Sequence, residues 1–224
     1  MDPYRHLTIL GLIAVAGLVF AIETARETSF AQDYGVVPSV VVPAFRAVAQ
    51  GGLNWTTAGP LIRLVTALFV HGGIEHIVLN LVFLWAFGYL TSQFLGQWWA
   101  LAIFVVCGLC GNILQTWLAP DSPIPIIGAS GAICGFEGVY FGLALRWQLP
   151  WPDVWPLAYP IPPLQLAAFA VVGFLADVFF LTTHDQQIAY GAHVGGFLSG
   201  LIIANLVTTL YPDLADFRRP RTKR

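Results

Sequence analysis

GASGAICGFEG, residues 128–138, sets a serine between glycines at the head of an apolar run. Glycines 128, 131, 135 and 138 recur every three or four residues, so a helix formed here has one smooth face on which another helix can lie closely. The same glycines leave the hydroxyl of Ser130 clear of its surroundings. The stretch therefore reads either as a packing surface or as a presented nucleophile, and the rest of the chain has to decide between them.

Of the 224 residues, 57% are hydrophobic and 10% charged, with a mean hydropathy of +0.73. Soluble domains carry about 25% charged residues, so the composition is that of a membrane protein. The net charge of −2 offers nothing to attract nucleic acid. Cys107, Cys110 and Cys134 make an odd count in apolar stretches and imply no disulfide framework. Cys107-x-x-Cys110 within a lipid-embedded helix is not read as a redox or metal pair.

The fifteen prolines cluster at 38–60, 120–125, 150–163 and the ends, and mark connections because proline breaks helices. Between them the apolar runs predict six spans, at 7–22, 73–91, 98–118, 128–146, 164–181 and 190–211. The first, after a short basic start and without a clear cleavage site, reads as a retained span. The expected fold is an all-α polytopic membrane protein, one six-span domain over residues 1–224. Residues 23–60 form a structured outer loop with short helices, and 212–224 a basic cytoplasmic tail. An even number of spans puts both termini on one face. Arg5, Arg146 and the tail RRPRTKR make that face the cytoplasmic one, leaving Arg26, Arg46 and Arg63 outside. A compact six-span core without an organelle presequence predicts a prokaryotic plasma membrane.

Polar groups are costly inside a bilayer and point to function by default. With this topology, spans two, four and six begin at the outer face. The starts of these spans carry His76 and Asn80, Ser130, and His193. His76 and Asn80, four apart, share a helix face; His71, beyond Gly72 and Gly73, belongs to the entry loop. Gly196 and Gly200 form a smooth stripe beside His193, matching that of span four, so these two helices should touch and Ser130 should face His193. Glu137 lies about 10 Å deeper than Ser130 at 1.5 Å per residue and reads as a neutral structural carboxyl. Asp177, near the outer end of span five, reads as reaching the interface.

Taken singly, each of these residues is more ordinary as packing or helix-to-helix glue; the joint occurrence at one depth is what points to chemistry. Peptide hydrolysis needs a nucleophile, a proton shuttle and donors aimed at the developing oxyanion. Ser130 is the candidate nucleophile, with His193 as general base and then general acid. His76, Asn80 and the backbone N–H of Ser130 are candidate oxyanion donors. No third acidic member is evident, which predicts a dyad.

In these residues the chain resembles the rhomboid intramembrane serine proteases, over most of residues 60–210. HGGIEHIVLN (71–80) is similar to the family's His-x4-His-x3-Asn, GASG (128–131) to its Gly-x-Ser-Gly, and AHVGGFLSG (192–200) to its Ala-His-x-x-Gly-x-x-x-Gly. The resemblance implies a Ser130–His193 dyad, with His76 and Asn80 binding the oxyanion and Gly128, Gly131, Gly196 and Gly200 shaping the site. It also implies cleavage of single-span or otherwise membrane-anchored proteins near the outer face of the bilayer, without metal or cofactor. Two departures stand out. Cys134 occupies the position, four after the serine, where relatives commonly carry an aromatic that can stack under the imidazole; with cysteine there His193 is less braced, unless a group such as Glu137 fills the space. Ile62-Arg63 stands where many relatives have Trp-Arg.

Three other readings compete. A metal-dependent membrane protease is disfavoured because Glu75-His76 lacks the second histidine of His-Glu-x-x-His. A non-catalytic adaptor would keep the fold to bind transmembrane helices. A specialised rhomboid relative would cleave C-terminal sorting tails.

Overall fold

The computed structural model describes residues 6–26, 29–183 and 188–211. The 212–224 tail lies outside these residues. All named elements are helices: α1 (Leu7–Ala25), α2 (Ala31–Tyr34), α3 (Pro38–Ala49), α4 (Trp55–Thr66), α5 (Ile74–Phe83), α6 (Tyr89–Leu95), α7 (Gln97–Leu118), α8 (Ser130–Ala144), α9 (Pro163–Thr182) and α10 (Tyr190–Leu210). A 3₁₀ turn at Ala67–Phe69 follows α4, and a π-helical segment, Leu84–Gly88, joins α5 to α6 into one rod. The chain is an all-α bundle, as its apolar periodicity predicts.

Among the described residues, five helices are long and apolar enough to cross a membrane: Leu7–Ala25, Ile74–Leu95, Gln97–Leu118, Pro163–Thr182 and Tyr190–Leu210. α8 stands in the place of the span predicted at 128–146 but has only 15 residues. At 1.5 Å per residue it is about 22 Å long, short of a ~30 Å hydrocarbon core. It is instead enclosed by the other helices: eleven of its residues are buried, among them Phe136, Tyr140 and Leu143. Its first residue, Ser130, is half-buried among them.

The segment predicted as an outer loop is more helical than its prolines suggest. Pro43 and Pro60 do not mark connections but sit inside α3 and α4. Each removes one backbone donor, which a short helix supported by its surroundings tolerates. α4 is started by a capping box: Asn54 Oδ1 accepts from the N–H of Thr56 at 2.9 Å and Thr57 at 3.2 Å, and the N–H of Asn54 donates to Thr57 Oγ1 at 3.0 Å. At its other end a free carbonyl, that of Leu64, accepts from buried Asn112 Nδ2 of α7 at 2.9 Å. Val36, Val41, Leu64, Ala67, Ile126 and Ala192 form a small core beneath this layer.

Around α8 the bundle closes in two ways. Along α10 the backbones meet: a Cβ on Gly196 would run into the carbonyl of Gly131, one on Gly200 into that of Gly135, and one on Gly138 into that of Phe197. α7 joins the same seam, since a Cβ on Gly111 would strike the carbonyl of Ala192. At the far end, Arg146 Nη2 donates to Asn205 Oδ1 of α10 at 2.9 Å. The starts of α8 and α10 are thereby brought to one end of the molecule and their termini to the other. α9 runs the opposite way, so its late residues return to the end where α8 and α10 begin.

Candidate active site

Ser130 is the first residue of α8, His76 the third of α5 and His193 the fourth of α10. Three first turns converge, and the glycine seam sets how far apart two of them stand. Ser130 Oγ lies 2.9 Å from His193 Nε2. On the other side of the ring, His193 Nδ1 lies 3.0 Å from Asp177 Oδ1 of α9. A carboxylate only accepts, so Nδ1 carries the proton toward Asp177 and Nε2 is left to accept from the Ser130 hydroxyl. Both His193 and Asp177 are largely but not fully enclosed, at 16% and 17% side-chain exposure, so the pair stays within reach of water.

Asp177 is the residue that sequence reasoning misassigned. It was expected at the interface, and no acidic third member was expected beside the imidazole; the structure brings it there, whereas Glu137, buried deeper in α8, is not the group that meets His193. One signal was present: an acid within the apolar run FLADVFF is costly unless it has a partner. Which way it faces depends on the rotation of α9, which the sequence does not specify.

The loop before α8 is shaped for His76. Gly128 has φ +106°, a region that favours glycine, and a Cβ there would collide with His76 Nε2. The N–H of Gly128 is held by the carbonyl of Ala67 at 2.9 Å. His76 Nδ1 accepts from the N–H of Gly72 at 3.3 Å, which leaves Nε2 as the protonated nitrogen of the neutral ring, facing the Gly128 turn. No side chain caps α8, so the N–H groups of its first turn, that of Ser130 included, stay available with the positive end of the helix dipole behind them.

Asn80 is buried one turn below His76. Its Nδ2 donates to the His76 carbonyl at 2.7 Å, and its Oδ1 is buried with no protein partner. His71 lies in the entry loop, edge-on to His76 with ring centroids 5.1 Å apart. Its Nδ1–H donates to the Phe69 carbonyl at 3.2 Å. Burial, reinforced by neighbouring His76, pushes its pKa down to about 4 against the weaker upward pull of that hydrogen bond.

Cys134, one turn into α8 from Ser130, brings its sulfur to the same place as Asp177 and His193. A thiol, a carboxylate and an imidazole within 4.8 Å of one another form a group that could hold a metal ion, but Asp177 and His193 each spend a donor atom on the bond between them. Cys107 and Cys110 are free, one buried and one exposed.

A family model described as the Rhomboid domain matches residues 58–209. The chain is 30% identical to Rhomboid-like protease 3 of Toxoplasma gondii over 159 residues, covering 71% of this chain and 56% of that protein. It is 27% identical to the putative rhomboid protease YdcA of Bacillus subtilis over 138 residues, 62% of this chain and 66% of the relative. It is also 26% identical over 154 residues to a protein named inactive RHOMBOID-like protein 8 of Arabidopsis thaliana, 67% of this chain and 40% of that one. The chain thus spans about half the length of the curated relatives it matches. With the family model covering more than half of its residues, and its helices long and apolar enough to cross a membrane several times, the chain belongs to the rhomboid family of multi-pass membrane proteins.

Proposed function

We propose that this protein is an intramembrane serine endopeptidase acting on single-span or membrane-anchored proteins. The observation that carries the reading is the 2.9 Å approach of Ser130 Oγ to His193 Nε2, within the reach required of a nucleophile and its general base. Ser130 Oγ attacks the scissile carbonyl as Nε2 takes its proton. The imidazolium then returns that proton to the leaving amine, and water resolves the acyl-enzyme by the same relay. The oxyanion forms before the uncapped N-terminus of α8, where the Ser130 N–H and the Nε2–H of His76 are directed; Asn80 supports His76 through its carbonyl. These roles need no metal or cofactor.

The place of Ser130 at the first residue of α8, at the end of the bundle where α10 also begins, supports cleavage close to one membrane face. The single domain would be oriented with both termini and the basic tail in the cytoplasm, the site toward the outside, and the bilayer would be a prokaryotic plasma membrane. A peptide bond inside a regular helix is hydrogen-bonded and shielded, so a substrate span bearing Gly or Pro near its outer end should be cut more readily.

The existence of a relative named inactive favours a second reading, a non-catalytic adaptor that binds transmembrane helices. The two separate in one experiment: a panel of single-span reporters in liposomes, offered to wild type and Ser130→Ala, with serine-reactive phosphonate labelling alongside. The protease reading expects cleavage and labelling that both vanish in Ser130→Ala and persist in chelator. Reporter binding without cleavage or labelling in the wild type would leave the adaptor.

A further inference from the structure

We propose that Asp177 is a positioning residue for His193, making the site a Ser130–His193–Asp177 relay in which α9 supplies the third member. This deepens the protease reading and rests on it for its catalytic consequence. The two contacts fall on opposite nitrogens of one ring: hydroxyl to Nε2 at 2.9 Å, Nδ1 to carboxylate at 3.0 Å. A carboxylate at Nδ1 does two things: it selects the tautomer whose Nε2 can accept from serine, and it stabilises the imidazolium formed when it does. Enclosure strengthens both effects, because partial exclusion of water raises the electrostatic value of the contact.

The local sequence makes room for this arrangement. Cys134 is a small side chain one turn below Ser130, and its sulfur lies within 4.8 Å of the donor atoms of Asp177 and His193. A bulkier residue at 134 would compete for the space that the carboxylate uses. Other groups facing the imidazole act differently: Tyr190 on α10 presents its ring edge-on at a centroid distance of 6.2 Å, and His76 approaches from the α5 side of the Gly128 turn. Of the groups around the ring, Asp177 is the one hydrogen-bonded to Nδ1.

The test uses the full chain in detergent or liposomes, with wild type, Asp177→Asn, Asp177→Glu and Ser130→Ala compared for kcat, KM, thermal stability and the proton NMR signal of the imidazole Nδ1–H. In Asp177→Asn the expected result is a fall of about 10²-fold or more in kcat, with KM and melting temperature held, since asparagine keeps the shape but not the charge or tautomer control. Asp177→Glu should recover part of the loss. The downfield Nδ1–H resonance should be present in wild type and Ser130→Ala and absent in Asp177→Asn. Wild-type kcat in Asp177→Asn would overturn the proposal. So would parallel losses of kcat, KM and stability, which mark a structural tie between α9 and α10, or wild-type activity abolished by chelator, which assigns the carboxylate to a metal. A wild type that shows the resonance but cleaves nothing would sink the protease reading while leaving the Asp177–His193 bond standing.

Discussion

α8 packs against three long helices, α7, α9 and α10, and the last two hold it in different ways. Against α10 it lies backbone to backbone, with Gly131, Gly135 and Gly138 on one side and Gly196 and Gly200 on the other. α9 has no such seam: only Leu166, Ala167 and Ala170 are buried along it, and it meets α10 through side chains such as Phe174, stacked on Phe197 at 4.4 Å. Gly173, in the middle of α9, has nothing within contact distance of where a Cβ would be. The proposed nucleophile and base thus stand on the pair of helices whose spacing cannot vary, while the carboxylate comes from the helix held more loosely. A Ser–His distance needs backbone precision; a carboxylate that orients the ring can be delivered by one side chain.

The largest effect is expected on the tight side. His76 meets α8 at the Gly128 turn, and His76→Ala should cut turnover by about 10²–10³-fold, the usual cost of losing one oxyanion donor, with the fold intact. Asn80→Ala, acting at one remove, should lose less. Wild-type turnover in the double variant would remove both residues from the proposed oxyanion site.

Next in size is the paired test of the two kinds of contact. Gly196→Ala places a methyl on the backbone carbonyl of Gly131, which cannot turn aside as a side chain would, so a loss of about 1–3 kcal/mol in stability is expected. Gly173→Ala on α9 meets nothing and should be neutral or slightly stabilising, by up to about 1 kcal/mol from helix propensity. Equal melting temperatures for the two variants would mean that the seam is not the rigid element.

A pH-dependent effect belongs to His71, in the loop leading to α5. Its folded-state pKa of about 4 lies below the ordinary value of 6.5. The unfolded chain therefore takes up its proton first as pH falls. The contribution of the buried neutral ring is complete above pH ~6.5 and is lost progressively as pH drops through ~4. Melting temperature followed over that window should fall less steeply in His71→Phe than in wild type, and identical slopes would show that the ring is not held neutral.

The fold class was legible because a bilayer imposes it: long apolar runs must be helices, and their ends show where charge and proline resume. Pro43 and Pro60 lie inside α3 and α4 instead of marking connections, because proline punctuation is reliable in long spans but not in short helices packed against a bundle. The span predicted at 128–146 is likewise longer than α8, since apolarity does not distinguish a helix facing lipid from one facing only protein. In the candidate site, the place of His76, Ser130 and His193 in the first turns of their helices could be anticipated by counting residues along each apolar run. The Asp177–His193 contact could not.

The sequence specifies a multi-pass helical protein and the position of each polar residue along its own helix, because rise per residue is constant along a helix. What only the tertiary structure decided was rotation: which face of each helix turns toward which neighbour. For α8 and α10 the glycines narrow that choice, since two smooth faces gain contact only by meeting. α9 carries no such stripe, so nothing local declares that Asp177 turns inward. Its orientation follows from packing against all its neighbours at once, and from the cost of leaving a carboxylate in a bilayer without a partner.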